Sequence, residues 1–177
     1  KEFLSVQVHP DEAYAQAAEG DHEKAESWYI LHAEPGAELI AGCSTDDVDA
    51  LRAAAADDTI GNRYGKRVEM HEGDFILIPA GTMHALGPGI FAVEIGSFGN
   101  TTYRLCDWGR GRELHVEKAK KVIVNYTPEE IEKLRFSKAD RRDPELLAAC
   151  DKFTVRKYDI SGDKHISVGE DSFASLT

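Results

Sequence analysis

The sequence predicts a mainly β fold, a sandwich or barrel with one small helical insertion and short helices near the C-terminal part. Short stretches rich in Val, Ile, Leu, Phe and Tyr recur at 3–8, 27–32, 37–41, 67–70, 75–78, 90–95 and 102–107. Turn signals such as Pro35-Gly36, Glu72-Gly73 and Gly87-Pro88-Gly89 separate them, as in antiparallel strands joined by tight connections. The length, 177 residues with 42% hydrophobic content, suffices for one sizeable core.

Taken in order, the first strands are interrupted at 46–56, where Val48, Leu51, Ala54 and Ala55 fall at helical spacing and Ser44 or Thr45 stands ready to cap the first turn. A second helix is expected to begin at Thr127. Thr127-Pro128-Glu129-Glu130 joins an N-cap, a proline at the first helical position and an acid at the third. This helix should end near Arg135, and Asp143-Pro144-Glu145 should start another short turn. Strand-like alternation returns at 153–160 and 165–168. The organisation expected is a β domain over 1–125 with its helical insertion at about 44–57, a helical linker over 126–150, and the start of a second β-sandwich over 151–177.

Charge narrows the partners. With 21 Lys and Arg against 32 Asp and Glu, the formal charge is −11, and no basic run could neutralise a phosphate backbone, which argues against nucleic acid. No stretch approaches the roughly 18–20 apolar residues of a membrane span, so no membrane partner is expected and the chain reads as soluble. Cys43, Cys106 and Cys150 are isolated, lack a C-x-x-C spacing and cannot all pair within one chain, which suits a reducing, cytoplasmic location. A small molecule is the expected ligand.

The strongest local signal is Gly73-Asp74-Phe75-Ile76-Leu77-Ile78-Pro79-Ala80-Gly81-Thr82-Met83-His84. A glycine turn launches an apolar strand, Pro79 and Gly81 shape a corner, and His84 begins the next strand. The spacing G-x5-P-x-G-x2-H resembles the second motif of the cupins, metal-binding jelly rolls. Further ligands should come from an earlier strand, and Gln7-Val8-His9 offers two ligand-type side chains at i and i+2, on one face. Glu26, just before the strand at 27–32, could close the set. Two imidazoles, a carboxylate and an amide oxygen suit Zn²⁺, with Fe²⁺, Mn²⁺ or Co²⁺ also compatible. His22, His32, His71, His115 and His165 show no such pattern and read as surface or satisfied core residues.

Longer segments carry a closer resemblance. Leu4-Ser5-Val6-Gln7-Val8-His9-Pro10-Asp11, Lys24-Ala25-Glu26-Ser27-Trp28-Tyr29, Pro79-Ala80-Gly81-Thr82-Met83-His84-Ala85, Thr101-Thr102-Tyr103-Arg104-Leu105-Cys106-Asp107-Trp108-Gly109-Arg110 and Arg112-Glu113-Leu114-His115-Val116-Glu117-Lys118-Ala119 resemble, in order, segments of the type I mannose-6-phosphate isomerases. The resemblance implies a zinc site of Gln7, His9, Glu26 and His84, an active-site arginine at Arg104, and groups near a sugar phosphate at Lys24 and Glu94, the latter a candidate for proton transfer. It implies interconversion of mannose 6-phosphate and fructose 6-phosphate through a cis-enediol. It also implies family segments before the first strand and after Phe173-Ala174-Ser175-Leu176-Thr177, so the chain reads as an excised portion or a naturally short relative.

Two departures bear on function. The family's G-K-T-E is Glu23-Lys24-Ala25-Glu26 here, and its E-I-Q-Q-N-S-D is Glu94-Ile95-Gly96-Ser97-Phe98-Gly99-Asn100, which removes polar groups beside the expected pocket. The alternative function is therefore a non-catalytic, metal-containing cupin that binds a sugar or metabolite. A cupin oxygenase fits less well, because a facial triad leaves positions open whereas Gln7 adds a fourth protein ligand.

Overall fold

The computed structural model describes residues 2–137 and 145–170. The elements run β1 (Val6–Val8), α1 (Glu12–Glu19), β2 (Glu26–Ala33), β3 (Glu38–Cys43), α2 (Val48–Ala56), α3 (Ile60–Tyr64), β4 (Gly65–Glu69), β5 (Phe75–Ile78), β6 (His84–Ala85), β7 (Ile90–Gly96), β8 (Tyr103–Cys106), α4 (Val116–Ala119), α5 (Pro128–Leu134), β9 (Arg135–Phe136), β10 (Leu146–Ala149) and β11 (Thr154–Arg156). One sheet has the order β4-β3-β6-β1-β8, a second the order β7-β2-β5-β9, and β10 pairs with β11. Every pairing is antiparallel. This is the mainly β, antiparallel sandwich that the alternation predicts, in the jelly-roll form that the cupin resemblance implies.

Side-chain alternation sorts the core into three layers. Trp28, Ile30, Ile76 and Ile78 from the four-stranded sheet meet Leu39 and Ala41 from the five-stranded sheet, and Ile131 of α5 closes this interior. Val6 and Val8 point the other way, to the outer face of the five-stranded sheet, where they pack with Leu51, Ala54 and Ala55 of α2, Ile60 of α3 and Ala119 of α4. On the far side, Phe75 and its neighbours Tyr29, Leu77 and Ile95 are covered by Leu147 and Ala148 of β10 and Val155 of β11. A fully buried side chain such as Ile30 or Phe75 contributes roughly 1.5–3 kcal/mol over its exposed state.

Several local expectations change. Helix α2 begins at Val48 and is capped by Asp47, whose carboxylate accepts from the backbone N–H groups of Asp49 and Ala50. Neither Ser44 nor Thr45 is the cap; the Thr45 hydroxyl instead accepts from the Asp47 amide at 3.1 Å, so it fixes the turn that precedes the cap. Helix α5 matches its signature fully, with Thr127 and Glu130 forming a reciprocal capping box. The stretch 126–150 carries α5 and also β9 and β10; β9 joins the four-stranded sheet because Phe136 pairs with Phe75, their rings 6.3 Å apart. Extended pairing at 153–160 is limited to β11, and 165–168 forms no strand, because Ile166 and Val168 stay exposed with no sheet to receive them. The turn expected at Asp143-Pro144 and the segment Phe173 to Thr177 lie outside the described residues. Helix α1 escapes the periodicity because its Ala-rich stretch has little apolar contrast, although Asp11 caps its start and Gly20, with φ 64°, ends it. Among the described residues no helix is long and apolar enough to cross a membrane.

Candidate metal centre

The register of the five-stranded sheet brings a row of polar side chains to its inner face. Gln7 lies opposite His84 on one side and opposite Arg104 on the other. His9 follows at i+2 from Gln7 and shares its face. Glu26 opens β2 in the facing sheet and points into the same interior as Trp28 and Ile30. The corner that precedes His84 depends on Gly81, whose φ of 84° favours glycine. Its amide donates to the His9 carbonyl at 2.8 Å, which ties the two histidine segments together.

His9, Glu26 and His84 are each 1% exposed, and their ligand-type atoms all lie within 4.8 Å of one another. The His9 Nε2 atom is 3.1 Å from Glu26 Oε1, and His84 Nε2 is 3.4 Å from Glu26 Oε2. The opposite edge of each ring decides what these contacts are. His9 Nδ1 donates to the Thr101 carbonyl at 2.9 Å and His84 Nδ1 to the Thr82 carbonyl at 2.8 Å. A carbonyl only accepts, so in the neutral rings the proton sits on Nδ1 and the Nε2 lone pairs face the Glu26 carboxylate. His9 Nε2 and both Glu26 oxygens are buried without an aligned hydrogen-bond donor among the described residues. Three converging acceptors of this kind, with only the Lys24 ammonium close to one of them, could be joined by a cation. Imidazoles oriented through Nδ1 by backbone carbonyls are the usual support of a metal site, so the donor set fits a divalent metal.

The electrostatics agree. Burial disfavours the charged form of His9 and holds its pKa below the ordinary value, despite the opposing pull of Glu26. Burial also works against ionisation of Glu26; hydrogen bonding and charge from a proton at His84 or His9 Nε2, the place a metal would take, outweigh it and keep the carboxyl far below the usual range. Lys24 adds a positive charge from one side, with Nζ 2.6 Å from Glu26 Oε1.

The other expected site residues gather around this cluster less tightly. Gln7 adjoins it with its amide nitrogen 3.3 Å from His84 Nε2, and rotation of the terminal amide exchanges that nitrogen for oxygen. Glu94 lies opposite Trp28 in the β2–β7 pair; it accepts from Trp28 Nε1 at 3.4 Å, sits 3.8 Å from Lys24 Nζ and remains largely exposed. Arg104 shares the Gln7 row and donates through Nη1 to the Glu113 carbonyl at 2.9 Å, while its buried Nε has no partner among the described residues. Its main chain is clasped by His115, whose Nδ1 accepts from the Arg104 amide and whose amide donates to the Arg104 carbonyl, so this histidine is satisfied structurally. Trp28, whose ring meets His84 edge-on at 5.6 Å, and the carbonyls of Thr82 and Thr101 escaped the sequence reading. A backbone carbonyl leaves no trace in residue type; Trp28 could have been found from its i+2 spacing to Glu26.

No protein-family model matches the chain. It is 37% identical over 167 residues to a mannose-6-phosphate isomerase of Streptococcus mutans, covering 91% of this chain and 52% of that protein. It is 35% identical over 166 residues to the mannose-6-phosphate isomerase ManA of Bacillus subtilis, covering 90% of this chain and 52% of that protein. The crystal structure of a mannose 6-phosphate isomerase from B. subtilis superimposes with a TM-score of 0.64 at 33% identity, over 72% of this chain and 44% of that one. The chain thus spans about half the length of the curated relatives it matches. By sequence and by fold together, it is similar to about half the length of these mannose-6-phosphate isomerases.

Proposed function

We propose that this chain carries the metal-binding unit of a zinc-dependent aldose–ketose isomerase that interconverts mannose 6-phosphate and fructose 6-phosphate, with Gln7, His9, Glu26 and His84 as the ligands. The observation that carries the proposal is the buried convergence of two Nε2 lone pairs on the Glu26 carboxylate, each imidazole held through Nδ1 by a carbonyl. The similarity to enzymes of that name supports the substrate.

Bound there, Zn²⁺ would polarise the sugar's oxygens as a Lewis acid. The remaining work falls to side chains. Isomerisation removes a proton alpha to a carbonyl and returns it to the adjacent carbon through a cis-enediol. Glu94, at the open end of the Trp28 row and within 3.8 Å of Lys24 Nζ, is suited to move that proton; such transfer is worth roughly 10²–10⁴ in rate. Arg104 would offer its guanidinium to the oxygen that turns negative. Lys24 would hold the phosphorylated sugar by charge.

A coupled assay that follows fructose 6-phosphate formed from mannose 6-phosphate by the zinc-loaded protein tests this. Turnover that disappears with the metal is the expected result. A protein that binds zinc and sugar phosphate yet isomerises none overturns it in favour of a binding cupin.

A further inference from the structure

His9 takes its orientation from a loop far away in sequence. Its Nδ1 donates to the carbonyl of Thr101, which lies between β7 and β8, where no ladder hydrogen bond holds the backbone; the Thr102 hydroxyl is a more distant neighbour at 3.4 Å. What holds Thr101 is the carboxylate of Asp21. Asp21 Oδ2 accepts from the Asn100 amide at 2.9 Å, the Thr101 amide at 2.8 Å and the Thr101 hydroxyl at 2.7 Å. Asp21 Oδ1 accepts from the His22 amide at 2.8 Å. The carboxylate is itself placed by the end of α1, where Gly20 turns left-handed and the Asp21 amide donates to the Ala15 carbonyl at 3.2 Å.

We propose that Asp21 is a positioning residue for the metal ligand His9, acting through the Thr101 main chain. The inference rests on the metal-site reading above. Each link follows from donor and acceptor inventory. A carboxylate accepting several N–H and O–H groups makes strong, directional bonds, and these immobilise the peptide whose carbonyl keeps the proton on His9 Nδ1. The ring then presents the Nε2 lone pair to Glu26 with its rotation set. Without the carboxylate, three donors of residues 100–101 turn to water, and the carbonyl loses its fixed direction.

Asp21→Ala and Asp21→Asn in the full chain test the idea with three readings: Co²⁺ titration followed by the visible absorption of the bound ion, thermal unfolding of the metal-free protein, and the proton resonance of His9 Nδ1–H without metal. Asp21→Ala should weaken Co²⁺ binding by about 10–100-fold, the usual effect of losing a group that orients a ligand. It should also alter the absorption spectrum and abolish the protected Nδ1–H signal. Asp21→Asn keeps one acceptor oxygen and should fall between. A merely structural clamp would lower the melting temperature and leave affinity, spectrum and resonance as in the wild type, and that result overturns the proposal. Should Asp21→Ala fail to fold, Asp21→Asn decides: wild-type affinity together with an unchanged Nδ1–H resonance refutes the proposal. Wild-type protein that takes up no Co²⁺ refutes the metal reading itself, and the metal-free resonance still reports whether Asp21 orients the ring.

Discussion

His9 and Glu26 approach to 3.1 Å between Nε2 and Oε1, although His9 follows a strand of one sheet and Glu26 opens a strand of the other. Two acceptors that close, both buried, cost free energy unless a cation joins them. A metal joining these acceptors would relieve that cost, so metal binding should stabilise the fold.

The size of that coupling is set by mass action: at a free metal concentration about 100 times Kd the gain is about 2.7 kcal/mol. Zinc should raise the melting temperature of the wild type, and a chelator should reverse the shift. His84→Ala removes a proposed ligand and should weaken zinc binding by more than the roughly 10–100-fold typical of outer contacts, so the zinc-dependent shift should nearly vanish. Calorimetric titration and paired melting curves measure both. An undiminished shift in His84→Ala would place the metal elsewhere.

Arg104 lies in the Gln7 row without being a ligand, so its loss should separate metal content from rate. Arg104→Ala should lower kcat for mannose 6-phosphate by about 10²–10³, the scale of losing one electrostatic stabiliser of developing charge. Bound zinc should stay at the wild-type ratio. Full turnover in this variant would remove Arg104 from the proposed chemistry.

Gly81 tests the corner. A Cβ there would lie 2.6 Å from Val124 Cγ2 and 2.9 Å from the Val122 carbonyl oxygen, at a φ of +84° that already disfavours any side chain. Gly81→Ala should cost roughly 1–3 kcal/mol in urea unfolding. Because the Gly81 amide also holds the His9 carbonyl, zinc affinity should fall with stability. A neutral substitution would show that the corner is more pliant than its packing implies.

Acid sensitivity should trace partly to Asp107. The Arg112 guanidinium hydrogen-bonded to it lowers its pKa to about 2. A carboxyl whose folded pKa is depressed stabilises the fold above its unfolded value, near 4, and that contribution is lost as pH falls through the folded value. The stability gap between wild type and Asp107→Asn should thus be full at neutral pH and close between about pH 4 and 2. Unfolding free energies across that range check it, and a gap that does not change with pH would remove the ion pair as its source.

Much of this protein was legible in one dimension. The alternation of 27–32 and 75–78 reports two buried strands because a pleated chain must place successive side chains on opposite faces. The Thr127 capping box reports a helix start because its hydrogen bonds are local. Gly73 to His84 reports a corner because only certain backbones turn there. What residue order could not report is which distant groups share a point. Glu26 meets His9 and His84 from the facing sheet, Asp21 grips Thr101, and the Thr101 carbonyl aims the His9 imidazole, all through contacts between segments far apart in sequence. Backbone carbonyls are identical in every residue, so their service as acceptors is invisible until the chain is folded. The sequence determined which side chains could bind a metal; the tertiary structure decided which nitrogen of each histidine faces Glu26, because tautomer and ring direction are set by backbone carbonyls that only the folded chain puts in place.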